Sequence, residues 1–165
     1  MGLIERALSA LINTKVGNTT DYAAHETLLG YNNSLYQHVH NSAKCYPTLA
    51  DGVVITGGAG AWQLGNFVEL IPASTITVNF DIHWINFEAA SVNDVYELVL
   101  YKGTLGNEIE IGRIRTVRDS VQSGITDVPI QIPEQDANTR ISAKVASKSG
   151  GGDTVTISVY YHEYN

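Results

Sequence analysis

Cysteine is almost missing from this chain: Cys45 stands alone in 165 residues, which excludes an internal disulfide framework and any cysteine-based zinc cluster. Cations are scarce too. Ten Lys and Arg face seventeen Asp and Glu, a formal net charge of −7, and the imbalance falls entirely after residue 50: residues 1–50 hold three of each sign, residues 51–165 seven cations and fourteen anions. A general nucleic-acid binder needs the opposite sign, so nucleic acid is not an expected partner. No run approaches the ~20 apolar residues of a membrane-spanning helix, and Met1 to Leu11 lacks the cationic stretch and apolar core of a secretory signal. The expectation is a soluble protein, made in a cytoplasm, with no membrane partner.

Motifs of catalysis are missing as well. No serine sits in a Gly-x-Ser-x-Gly elbow. Gly57-Gly58-Ala59-Gly60-Ala61-Trp62 contains Gly58-x-Gly60, but Gln63 stands where a third glycine belongs, no Lys-Ser/Thr follows, and the next segment reads as strand. It is read as a turn. Cys45 follows His38 and His40 without anything that would lower a thiol pKa. Glu108 and Glu110 alternate onto one strand face, but Arg113 and Arg115 beyond them favour a salt-bridged sheet face over acid and base work on a glycoside. No enzyme, cofactor or small-molecule substrate is expected.

What the chain does have is β-forming composition. Tyr numbers nine and Gly fifteen, and Val, Ile and Thr dominate whole stretches. Strands are expected at Val53–Thr56, Trp62–Ile71 with a break near Gly65, Thr77–Phe87, Val95–Lys102, Glu108–Arg118, Thr126–Ile132, Arg140–Ala146 and Thr154–His162. Alternation is clearest in Val78, Phe80, Ile82 and Trp84, which places Trp84 in the core, and in Val155, Ile157, Val159 and Tyr161. Turn chemistry separates these runs at Lys102–Asn107 and Ser149–Asp153. Eight antiparallel strands with no intervening helix make an all-β sandwich, a jelly roll first and an immunoglobulin-like Greek key second. This domain is drawn at residues 51–165.

Ahead of it, residues 1–50 read differently. Leu3, Ile4, Ala7, Leu8, Leu11 and Ile12 share one face of a short amphipathic helix over about residues 3–13. So short a helix needs a surface to pack on, either its own domain or a neighbouring subunit or assembly. Residues 14–50 show no clean period and are rich in Asn, Thr, Ser, Tyr and His, which fits an extended arm on a partner or a long loop wrapping the domain.

Three sets of side chains are candidates for binding. His38 and His40 alternate onto one face of an extended chain and could share a metal with His83 or His162, although no third ligand is fixed by spacing; the plainer reading is polar contact at an interface. Trp62, Tyr160, Tyr161 and Tyr164 could form an aromatic binding surface. The apolar helix face is the third.

The phrases His38-Val39-His40-Asn41, Tyr46-Pro47-Thr48-Leu49-Ala50, Trp62-Gln63-Leu64-Gly65-Asn66-Phe67-Val68-Glu69, Asp81-Ile82-His83-Trp84-Ile85-Asn86, Asp94-Val95-Tyr96-Glu97-Leu98-Val99-Leu100-Tyr101 and Val155-Thr156-Ile157-Ser158-Val159-Tyr160-Tyr161-His162 resemble the small virion proteins of tailed bacteriophages, over about residues 36–162. The resemblance implies a capsid decoration, or cement, protein: a β-sandwich made in the host cytoplasm that binds the major capsid protein on the outer head surface, often as a homotrimer, with no catalytic residues to carry over. The interface expected on that reading comprises Leu3, Ile4, Leu8 and Leu11 of the helix with Tyr36, His38, His40 and Tyr46 of the arm. The alternative is a head-fibre or tail module that adheres to host-surface glycan.

Overall fold

The computed structural model describes residues 43–48, 51–118 and 126–164. The helix expected at residues 3–13 and the arm to residue 42 lie outside them. Nine strands follow in order: β1 (Lys44–Tyr46), β2 (Val53–Thr56), β3 (Val68–Ile71), β4 (Asn79–Ala90), β5 (Asp94–Lys102), β6 (Ile109–Arg118), β7 (Thr126–Pro129), β8 (Ile141–Ser147) and β9 (Thr154–Tyr164). They form two antiparallel sheets, β3-β8-β5-β6 and β1-β9-β4-β7, with β2 also paired to β9.

The ladders are nested. β2 pairs with β9, β3 with β8, β4 with β7 and β5 with β6, as if one long hairpin had been folded over. Wrapping that ribbon brings β5 beside β8 and β4 beside β9 and so closes the two sheets. This pairing defines a jelly roll, the leading arrangement expected from the sequence, and rules out the immunoglobulin-like alternative. β1, three residues long, is a strand the sequence did not announce; it pairs with β9 ahead of β2, before the domain boundary drawn at residue 51.

The core lies between the sheets and follows the alternation. Phe80, Ile82, Ile85 and Phe87 of β4 meet Tyr96, Leu98 and Leu100 of β5, Ile141, Ala143 and Val145 of β8, and Val155, Ile157, Val159 and Tyr161 of β9. Each large side chain buried in this way contributes roughly 1.5–3 kcal/mol against exposure. Tyr96 keeps its hydroxyl satisfied by donating to the Val92 carbonyl at 2.8 Å, tying down the β4–β5 turn.

The expected strand Trp62–Ile71 is shorter than its apolar content suggested: only Val68–Ile71 is regular. Residues 57–67 form a loop that runs along β8, with the Trp62 amide donating to Ser147 and the Gly65 amide to Val145. Gly65 is required here, because a Cβ would lie 1.8 Å from the Thr56 carbonyl oxygen. Trp62 itself has a φ of 56°, incompatible with a strand. Its ring reaches over the outer face of the four-stranded sheet, with the Arg115 guanidinium 4.6 Å away. Phe67 meets Tyr101 edge-on at 4.9 Å and the Lys144 ammonium at 3.9 Å. The outward residues Val99, Ser142 and Ala146 are fully buried.

Candidate functional site

The outer face of the five-stranded sheet is shaped by an irregularity in β4. Phe80 and Ile82 point inward, then Ile85 and Phe87 do, so the phase changes once and both His83 and Trp84 leave the core. The slip shows in the hydrogen bonds: the Ile130 amide donates to the His83 carbonyl at 2.7 Å, but the Ile132 amide donates to the adjacent Ile82 carbonyl at 3.1 Å. Such bulges re-aim side chains. Trp84 is therefore 37% exposed, which corrects the expectation that it belongs to the core.

Alternation from Phe80 and Ile82 sets Asp81 and His83 on this outer face, and alternation from Tyr161 sets His162 beside them on the neighbouring β9. His83 Nε2 lies 2.7 Å from Asp81 Oδ2, and His162 Nδ1 lies 3.7 Å from Asp81 Oδ1. The two imidazole rings are 4.5 Å apart, and one donor atom from each of the three residues falls within 4.8 Å of the others. Asp81 is 6% exposed, whereas both histidines are partly exposed. Two imidazole nitrogens and a carboxylate oxygen in this space can form a hydrogen-bonded His–Asp pair or hold a borderline metal ion.

Next to the cluster, Trp84 stands 5.4 Å from the His83 ring and edge-on to His162 at 6.3 Å. With Ala43, Asp127 and Tyr160 it lines a depression of about 270 Å3. On the same face Asn86 is buried and donates to Ser158 Oγ at 3.1 Å, with Cys45 Sγ at 3.8 Å. The Cys45 thiol donates to the Pro47 carbonyl at 3.2 Å.

Of the expected interface residues, Leu3, Ile4, Leu8, Leu11, Tyr36, His38 and His40 lie outside the described residues. Tyr46 is on β1, opposite Val159, and packs partly against the domain's own core. Tyr161 faces inward and is buried, so it is no part of an exposed aromatic surface, while Tyr160 is. The glutamates and arginines of β6 form the salt-bridged face expected of them. Arg113 bonds both Glu110, at 2.9 Å, and Glu97, and Arg115 bonds Glu97 at 2.6 Å. Burial pushes the Glu97 carboxyl up, but hydrogen bonds from Arg115 and Arg113 outweigh it and hold the group below the usual glutamate range. Glu108 turns instead to Arg140, at 3.4 Å. His83 and His162 were identifiable as candidate ligands; Asp81 was the member missed, although its alternation with His83 was visible.

The site and strand order thus define an all-β jelly-roll domain. No protein-family model and no curated protein matches the chain. Among solved structures it is similar to Eiger TNF from S. frugiperda, at 10% identity and a TM-score of 0.35, over 76% of this chain and 93% of that one. It is also similar to the CBM22-1-GH10 modules of Clostridium thermocellum xylanase 10B, solved with xylohexaose, at 11% identity and a TM-score of 0.26, over 70% of this chain and 25% of that one.

Proposed function

We propose that the chain is a structural virion protein, a decoration protein that binds the outer head surface of a tailed bacteriophage as a homotrimer and stabilises the shell. The observation that carries this reading is the edge of the four-stranded sheet. β6 is ten residues long, pairs with β5 on one side, and has no strand on its other side among the described residues. Along it and its preceding turn Leu105, Ile109 and Val117 are 78%, 63% and 59% exposed. A long open edge that carries exposed apolar side chains among its charged ones can pair with another chain. Here its occupant is a second copy, in a ring that closes by threefold symmetry. Leu3, Ile4, Leu8 and Leu11, the apolar face of the helix expected from the sequence, together with the residues expected to form the arm, then serve as the anchor on the major capsid protein. Stabilisation needs no chemistry: a protein that binds only the assembled shell adds roughly 2.7 kcal/mol per site at a hundredfold excess over Kd.

Light scattering on the purified protein tests the trimer, with an expected mass three times the 17.9 kDa chain. Replacing Ile109→Glu and Val117→Glu together should yield a folded monomer, and a monomeric wild type at micromolar concentration would overturn the β6 contact. Leu8→Asp with Leu11→Asp should lower occupancy on heads without unfolding the sandwich.

The depression beside Trp84 and Tyr160 supports a second reading, a head-fibre or tail module that adheres to host glycan, since exposed aromatic rings offer faces for sugar stacking. Saturable glycan binding lost in Trp84→Ala would favour it.

A further inference from the structure

We propose that Asp81, His83 and His162 bind one divalent transition-metal ion of the borderline class that zinc represents. The donors come from two adjacent central strands, β4 and β9, and their backbone is held by neighbours packed into the core. Phe80 and Ile82 flank Asp81, and Tyr161, which meets Phe80 edge-on at 6.1 Å, precedes His162. Around zinc, with bonds of about 2.0–2.2 Å, tetrahedral donors stand about 3.4 Å apart. The spacings here are 2.7 Å and 3.7 Å to the two Asp81 oxygens, and no pair of donor atoms exceeds 4.8 Å. Small side-chain rotations close that gap.

The donor set chooses the class of ion. Two imidazoles for one carboxylate suit zinc, cobalt(II) or nickel(II), whereas calcium and magnesium take oxygen cages. On binding, the proton that His83 Nε2 shares with Asp81 moves to Nδ1 or leaves to solvent, and the fourth coordination position is open to water or a group from a partner. The ion would clamp β4 to β9. This inference stands apart from where the protein is located, because it concerns the isolated chain.

Trp84 is the built-in reporter, since its ring lies beside both histidines and the other tryptophan, Trp62, is on the opposite sheet. Full-length protein stripped with EDTA is titrated with zinc chloride by calorimetry and with cobalt(II) chloride by absorption, and Trp84 emission is followed in a Trp62→Phe background. The expected results are one ion per chain, a visible cobalt band, quenched Trp84 emission and a melting temperature raised by a few degrees at saturation. His83→Gln and His162→Gln should each weaken binding at least about tenfold, whereas joint replacement of His38→Gln and His40→Gln should leave it unchanged. Absence of saturable binding by the wild-type chain overturns the proposal whatever the variants do. So does binding that survives at both His83→Gln and His162→Gln but vanishes with His38 and His40.

Discussion

The two outward faces of the sandwich are built on the same strand alternation and end in opposite conditions. On the four-stranded sheet the outward positions Val99, Ser142 and Ala146 are fully buried beneath a covering to which Trp62 and Phe67 contribute, and Glu97 is matched by two arginines. On the five-stranded sheet the buried outward residues are polar, Asp81, Asn86 and Ser158, and Asp81 converges with two imidazoles beside an exposed tryptophan. A face that buries apolar residues under its own loop serves stability. One that buries convergent donors is where a ligand can be held.

Substitutions should separate the faces by size of effect. Gly65→Ala should cost most, about 3 kcal/mol by chemical denaturation, because the added Cβ meets backbone and must displace the loop. Glu97→Ala should cost about 2 kcal/mol by the loss of two charge-assisted hydrogen bonds at a buried position. The same carboxyl sets a pH dependence. Its value is lowered in the folded chain relative to the ordinary 4.5, so its contribution is complete above that value and is lost as pH falls through the lower folded one. Acid titration of stability should accordingly be shallower in Glu97→Gln than in the wild type. Trp62→Ala should cost about 1 kcal/mol, through the Arg115 contact and the cover it gives. Trp84→Ala, on the other face, should change stability by less than about 0.5 kcal/mol. Equal costs for Trp62→Ala and Trp84→Ala would erase the distinction.

Much of the fold was legible because period-two alternation and glycine turns are local signals. Val155, Ile157, Val159 and Tyr161 read correctly as one inward face, and the β5–β6 turn fell where Gly103 and Gly106 adopt positive φ. Three features were not local. Trp84 kept the phase of Phe80 and Ile82 in the sequence, but the slip against residues 130–132 depends on a neighbouring segment. The stretch from Trp62 to Phe67 looked like strand because its aromatics are apolar; they cover an outer face, which composition cannot distinguish from lining a core. The Asp81–His162 approach needs β4 and β9 to be neighbours, and only the wrapped ribbon makes them so.

Location decides the proposal that this jelly roll decorates a shell. An electron-microscopy map of virions, compared with particles that lack the protein, should show many threefold copies over the outer head and none at the tail tip. A few copies confined to the tail, with the head surface unchanged by loss of the protein, would contradict it.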